Sequence, residues 1–141
     1  MNTSFIGDPY GDREFLRRVH GVYQDRARQD RYIDDGLERI QVVLKQLEDL
    51  RGHGVQRVLE LGANPYAMTL VIRRRFGDAF DLSLANYFGD GKCEAEATHP
   101  VEVDGERIEF AFRHFNVERE AFPYPDHAFD CVLLRNPGTP T

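Results

Sequence analysis

Apolar residues between positions 33 and 47 recur at the spacing of an α-helix. The steps between them alternate between four and three, which predicts a helix with one apolar face made of Ile33, Leu37, Ile40, Leu44 and Leu47. Asp34 or Asp35 is expected to cap the start of this helix, and Gly52 and Gly54 are expected to end it. An earlier helix is predicted over residues 13–28, with a partly apolar face made of Phe15, Leu16, Val19 and Val22.

After residue 54 the pattern changes from helical spacing to short apolar runs. Residues 55–61 are mostly apolar and too few for a helix, so they predict a buried parallel strand. Asn64 followed by Pro65 predicts a helix start, because asparagine caps helices and proline suits the first turn. That helix is expected to end at Gly77, and residues 80–87 predict a second strand. A strand, helix and strand in this order imply a right-handed crossover and a parallel sheet.

The turn at residues 104 and 105 is a two-residue Asp-Gly loop between strand-like flanks, which predicts a β-hairpin. Such a loop fixes the register of the hairpin, pairing Val101 with Ile108 and Glu102 with Arg107. Residues 129–134 are apolar again and predict the last strand.

These elements predict a single α/β domain over residues 1–141. Residues 1–53 are expected to form two N-terminal helices. Residues 54–141 are expected to form a core with a parallel sheet of about four core strands and a β-hairpin insertion. With 141 residues, 41% of them hydrophobic, the chain has enough apolar material for one core.

Composition narrows the classes of function. The net charge of −6 disfavours nucleic acid as a partner. No apolar run approaches the roughly 20 residues that cross a bilayer, and the start of the chain lacks a signal-peptide pattern, so we expect a cytoplasmic protein without membrane contact. Cys93 and Cys131 form no CxxC motif and the histidines show no ligand spacing, so no metal site is expected.

Candidate chemistry is concentrated directly after the first predicted strand. Glu60 lies at the carboxyl end of this strand, where open α/β sheets bind ligands. Gly62 has no Cβ, so a ligand can approach its backbone, and the following helix start favours polar ligand groups. A carboxylate at this place suits a cationic or hydroxyl-bearing ligand better than a pyrophosphate.

Two segments, VLELGANP and FNVEREAFPYPDHAFDCVLL, resemble class I S-adenosylmethionine-dependent methyltransferases. The first is similar to the family's opening motif, and the second to its acidic loop, Pro-rich turn and fourth strand. The resemblance implies S-adenosylmethionine as cofactor and attack of an acceptor O, N or C atom on its methyl group. The family's Rossmann-like sheet has seven strands in the order 3-2-1-4-5-7-6. The resemblance therefore implies that residues 54–141 are a partial Rossmann-like core, incomplete at its C-terminus, and that the chain is the N-terminal part of such an enzyme. In this family, helices before strand one often cover the acceptor.

The resemblance also implies the contacts of the methyl donor. Glu60 and Gly62 look like the positions that meet its amino-acid end, with Ala63 and Asn64 lining the turn. Only Gly62 remains of the family's usual two or three glycines. No residue is identified as a catalytic base.

The remaining contacts are expected from two loops. Asn86 and Tyr87 lie beyond the second strand, where the family often places an acid on the ribose hydroxyls; here the Asn86 amide or Asp90 would have to serve. The loop that contacts adenine in the family is matched by Asn116, Val117 and Glu118.

Other interpretations stay open at this point. An end after the fourth strand would leave residues 131–134 as an apolar edge, so the alternative to an enzyme with a small-molecule acceptor is a non-catalytic, truncated domain that forms homo-oligomers through this edge. A nicotinamide dinucleotide-binding domain is disfavoured because the second and third glycines are missing. Asn136 and Pro137 resemble the amine-binding motif of nucleobase methyltransferases, but the aromatic residue of that motif is absent.

Two charged features have simple structural interpretations. The arginines at 73, 74 and 75 are expected to form a solvated helix face, or a small basic patch together with Arg57. Asp130 is expected to hold a loop.

Overall fold

The computed structural model describes residues 9–20, 25–63, 66–86, 97–114 and 123–134. This part of the chain forms α1 (Pro9–Arg17), α2 (Arg26–Arg51), β1 (Arg57–Leu61), α3 (Ala67–Phe76), β2 (Asp81–Asn86), β3 (Ala97–Val103), β4 (Glu106–His114) and β5 (Cys131–Leu134). The strands form one sheet in the order β3-β4-β2-β1-β5. Four of them are parallel, and β3 pairs antiparallel with β4. The predicted α/β class with a partial, Rossmann-like parallel sheet is confirmed.

The predicted apolar face of α2 is buried, and all of it except Leu37 belongs to the main core, as do Leu16 and Val19 near α1. The start of α2 was predicted wrongly. Asp25 is its cap and accepts a 2.8 Å hydrogen bond from the backbone N–H of Arg28. The residues before the apolar stripe are mostly good helix formers, so the helix begins earlier along the chain than the stripe does. The prediction that Asp34 or Asp35 caps this helix is therefore wrong.

The earlier helix is also shorter than predicted, since α1 ends at Arg17 instead of continuing to residue 28. The Gln29 side chain of α2 explains part of this boundary. Its amide donates to the backbone oxygens of Leu16 at 2.8 Å and Val19 at 3.0 Å, satisfying carbonyls at the end of α1. Val22 lies outside the described residues.

The two faces of the sheet are covered differently. Side chains alternate along β1, so Val58 faces the three helices and the main core, which we call the helix-covered face. Leu59 and Leu61 lie on the opposite face, where Tyr124 and Phe129 pack against them.

The hairpin has the predicted register, with Val101 opposite Ile108 and Glu102 opposite Arg107. Both turn residues have positive φ, 52° and 78°, as a tight two-residue turn requires. Beyond the hairpin, β4 continues and pairs in parallel with β2. A single long strand therefore belongs to both the hairpin and the parallel sheet.

The two outer strands of the described sheet present different edges. On β3, the backbone groups of Glu102 exchange hydrogen bonds of 2.7 and 2.9 Å with those of His20, in the segment after α1. On β5, the side chains of Val132 and Leu134 are 47% and 65% exposed. Among the described strands, β5 is therefore an edge strand with exposed apolar side chains.

The arginines of α3 hold α1 in place. Asp12 of α1 is fully buried and forms ion pairs with Arg74 and with Arg75, the latter at 2.9 Å. Gln41 of α2 donates a 2.6 Å hydrogen bond to the same carboxylate. The three helices thus meet at one buried acid, and the run at 73–75 is more than a solvated face.

Arg57 does not join these arginines, so the predicted basic patch is wrong. Its guanidinium donates to Asp130 at 3.0 Å, and Asp130 also accepts from the backbone N–H groups of Gln56 and Arg57. The Arg57 guanidinium and these backbone donors hold the pKa of Asp130 well below its usual range. Asp130 fixes the chain before β5 to the start of β1, so its interpretation as a residue that holds a loop is confirmed.

Candidate functional site

The strand order reverses at β1. The chain leaves β1 for β2 and later β4 on one side, and β5 then lies on the other side of β1. Open α/β sheets bind ligands outside the carboxyl ends of the strands at such a switch point. The candidate site is therefore the turn between β1 and α3, together with the carboxyl end of the neighbouring β2.

The turn begins at Gly62, which is exposed and has a φ of 72°. This left-handed conformation favours glycine. The backbone N–H groups of Gly62 and Ala63 both donate to the oxygen of Ala85 in β2, at 2.8 and 3.3 Å, and that of Tyr66 donates to Ala63 at 2.6 Å. These three N–H groups therefore bind the protein's own carbonyls.

Glu60 is buried, with 5% exposure, and lies on the helix-covered face of β1. Its carboxylate accepts a 2.6 Å hydrogen bond from the hydroxyl of Thr69, in the first turn of α3. A negative charge near a helix N-terminus is favoured by the helix dipole. Sequence reasoning found Glu60 but missed Thr69, since a lone threonine in a helical pattern carries no signal for a partner nine residues earlier.

Asn86 is 4% exposed at the end of β2, and its side-chain amide donates a 3.0 Å hydrogen bond to the hydroxyl of Tyr66. The Tyr66 ring is fully buried, stacks on Phe110 at 4.9 Å between centroids, and lies 5.2 Å from the ring of His99. Burial raises the pKa of Tyr66 to about 12, against the opposing effect of the Asn86 hydrogen bond. Tyr66 is the second site residue that the sequence did not reveal.

Helix α3 begins later along the chain than predicted, and the burial of Tyr66 explains the difference. The cap position is Tyr66, with a φ of 70°, and the helix begins at Ala67. The prediction that Asn64 caps this helix with Pro65 in its first turn is therefore wrong. Burial of the Tyr66 ring and the turn closed by its N–H group displace the start; the predicted end at Gly77 is confirmed.

The predicted donor-binding residues divide into two groups. Four of them, Glu60, Gly62, Ala63 and Asn86, come together at the carboxyl ends of β1 and β2. The others lie outside the described residues: Asn64, Tyr87, Asn116, Val117 and Glu118. Their contacts with a methyl donor stay predictions.

Helix α1 lies at the other end of the parallel strands. Arg18, just after α1, pairs with Asp104 of the hairpin turn at 2.6 Å, immediately before β4 begins. Asp12 contacts the last turn of α3, which returns to the amino ends of the strands. The described part of α1 is therefore not placed to cover an acceptor at the carboxyl ends, in contrast to what the resemblance implied.

Within the described ranges, no group of three or more His, Cys, Asp and Glu side chains is arranged to hold a metal ion. Among the helices that these ranges contain, none combines the length and apolar character needed to cross a bilayer.

Comparisons of the chain with protein-family models, curated proteins and solved structures found no match. Dinucleotide-binding folds share this strand order, so the order by itself does not identify a ligand. The residues of the turn between β1 and α3 are the features that distinguish one class of ligand from another.

Proposed function

We propose that the chain is an S-adenosylmethionine-dependent methyltransferase, or a fragment of one, that transfers the methyl group to a small-molecule acceptor. The observation that carries this proposal is the turn after β1. There a buried carboxylate, Glu60, precedes the N–H groups of Gly62 and Ala63, which both donate to the carbonyl oxygen of Ala85. Such a turn favours a ligand with a positive charge and without phosphates.

The topology of the sheet supports the same proposal. Its parallel strands run β4-β2-β1-β5, which corresponds to the 3-2-1-4 part of the order in class I methyltransferases. The same order occurs in dinucleotide-binding folds, where amides of a glycine-rich turn and helix start face the pyrophosphate. Here three of the N–H groups at the turn bind carbonyl oxygens instead, so the turn favours the methyl donor over a dinucleotide.

The described residues fit the donor's amino-acid end best. Gly62 is exposed, and the carboxylate of Glu60, which accepts the hydrogen bond from Thr69, supplies a negative charge that suits an ammonium group. Asn86 is the described candidate for the ribose. When bound, S-adenosylmethionine supplies an electrophilic methyl group, and the protein's part is to position it against the acceptor.

The acceptor class and the compartment are also part of the proposal. The net charge of −6 disfavours nucleic acid as the methyl acceptor. The acceptor that we propose is a small molecule. Cys131 is a free thiol, which is compatible with the reducing cytoplasm.

A second candidate function rests on β5. Its exposed Val132 and Leu134 favour association through the edge of the sheet, so the alternative is a non-catalytic domain that forms homo-oligomers there. This alternative needs no methyl donor.

Calorimetric titration with S-adenosylhomocysteine, alongside NAD⁺, tests the proposal. The expected result is saturable binding of S-adenosylhomocysteine at one site and no binding of NAD⁺. Absence of S-adenosylhomocysteine binding by a folded sample would contradict the proposal. Sedimentation of the same sample separates the alternative, which expects dimers or larger species that a Leu134→Glu substitution disrupts.

A further inference from the structure

We propose that Arg113 binds a carboxylate of the methyl acceptor, which makes the acceptor an anionic small molecule. Arg113 lies near the carboxyl end of β4. The inference deepens the proposed function and rests on it, because it assumes that an acceptor binds at the carboxyl ends of the parallel strands. It assigns a role to a residue that the resemblance does not include.

The register of the sheet places Arg113 level with the candidate site. Arg113 pairs with Ala85 of β2, and Ala85 pairs with Leu61 at the end of β1. The carbonyl oxygen of Ala85 also accepts the hydrogen bonds from the turn that begins at Gly62. Neighbouring strands lie about 4.8 Å apart, so the backbone of Arg113 is roughly 10 Å from that of Leu61. An acceptor beside a donor on this turn is therefore within reach of the long Arg113 side chain.

Two neighbours hold the guanidinium of Arg113 in place. Its Cζ atom lies 5.0 Å from the centroid of the Tyr124 ring, and its Nη1 atom donates a 3.1 Å hydrogen bond to the carbonyl oxygen of Pro123. Among the described residues, no other acceptor binds this guanidinium. Because a guanidinium has five N–H donors in a rigid fork, most of the donors of Arg113 are left for a ligand.

Arg113 lacks the carboxylate partner that the other partly buried arginines have. Buried charged side chains are usually paired. Three further arginines are partly buried in the described part of the chain, and each forms an ion pair: Arg13 with Asp34, Arg17 with Asp30, and Arg75 with Asp12. Arg113 is equally partly buried but pairs with no carboxylate of the described ranges. A ligand at this end of the sheet can supply the missing negative charge.

The chemistry of the side chain favours a carboxylate as that charge. The planar fork of a guanidinium matches the two oxygens of a carboxylate and binds them bidentately. One guanidinium also balances the single charge of a carboxylate, whereas a phosphate ester carries about −1.5 to −2 at pH 7. Arg113 therefore acts as a specificity-determining residue for an acceptor with a carboxylate.

The test titrates the wild-type chain with benzoate and follows the Nε–H resonance of Arg113 by nuclear magnetic resonance. Benzamide has nearly the same shape without the charge and is the matched control, while inorganic phosphate tests the other anion. We expect a saturable shift with benzoate and at least about tenfold weaker binding of benzamide and phosphate, the difference that hydrogen bonds between charged groups make. An unmoved resonance with benzoate, or equal or tighter binding of either other probe, overturns the proposal.

Substitutions separate acceptor binding from donor binding. Arg113→Gln should weaken benzoate binding at least about tenfold and leave the affinity for S-adenosylhomocysteine unchanged. Arg107→Gln removes an exposed arginine from the same face of β4 and should change neither affinity. Weaker S-adenosylhomocysteine binding by Arg113→Gln would assign Arg113 to the donor and overturn the proposal, as would unchanged benzoate binding. The wild-type titration decides the question if Arg113→Gln does not fold.

Failure of the proposed function is a separate result. A wild-type chain that binds benzoate at Arg113 but not S-adenosylhomocysteine would contradict the methyltransferase and the acceptor role of Arg113 with it. A chain that binds S-adenosylhomocysteine but not benzoate would overturn only the inference about Arg113.

Discussion

The hydroxyl of Thr69 donates a 2.6 Å hydrogen bond to the carboxylate of Glu60 and so joins the first turn of α3 to the end of β1. Both side chains are buried, at 2% and 5% exposure. Thr69→Val keeps the shape of the side chain but removes the donor from a buried charge. We expect the free energy of unfolding to fall by about 1–3 kcal/mol, measured by urea denaturation. Thr69→Ser retains the hydroxyl and is the control; an equal loss in both variants would point to packing instead.

Removal of the carboxylate tests the proposed donor site directly. Glu60→Ala should weaken S-adenosylhomocysteine binding by about 1–3 kcal/mol, because Glu60 is the described residue whose charge suits the donor's ammonium group. Calorimetry measures the effect, after circular dichroism has shown that the variant is folded. Glu109→Ala, at an exposed position of β4, is the matched control. Unchanged affinity in Glu60→Ala would exclude Glu60 from the site.

The buried acid between the three helices should dominate the stability of the N-terminal segment. Asp12→Asn leaves Arg74 and Arg75 without their carboxylate, and breaking a buried ion pair from one side costs about 3–5 kcal/mol. Asp34→Asn breaks a half-exposed pair with Arg13 and should cost less than about 1 kcal/mol. Thermal and urea unfolding of both variants measure the difference. Similar losses in the two variants would refute the role of Asp12.

Tyr66 gives stability a dependence on alkaline pH. Its pKa in the folded chain is raised to about 12, whereas an unfolded tyrosine titrates near about 10. The unfolded chain loses the proton first, so the stability contribution is complete below pH ~10 and is lost as pH rises toward ~12, by up to about 1.4 kcal/mol per pH unit. Tyr66→Phe should show a shallower decline in urea denaturation across this range. An unchanged slope would contradict the expectation.

The sequence predicted the structure correctly where a single local pattern determined it. The Asp-Gly turn fixed the register of the hairpin down to the pair Val101 and Ile108, because a two-residue loop admits one pairing. The apolar stripe of α2 placed its buried face correctly for a similar reason, since a period near 3.6 allows only one face to meet the core.

Local signals failed where distant residues changed the outcome. Asn64 carries a stronger cap signal than Tyr66, but burial of the Tyr66 ring beside Phe110 moved the start of α3. Nothing in the arginine run of α3 indicates that an acid of α1 will bind it. The hydrogen bonds from Thr69 to Glu60 and from Asn86 to Tyr66 likewise depend on how α3 crosses the sheet, which spacing along the chain does not encode.

The bridge between His20 and Glu102 makes the two edges of the described sheet unequal in their capacity to accept a further strand. It occupies backbone groups of β3 at the outer edge, and Pro100 in the same strand has no N–H group to offer a further neighbour. Among the described strands, β5 would therefore accept a further neighbour more readily than β3. A strand added beside β5 would lie next to the switch point at β1, whereas the hairpin would keep its place at the opposite end of the sheet.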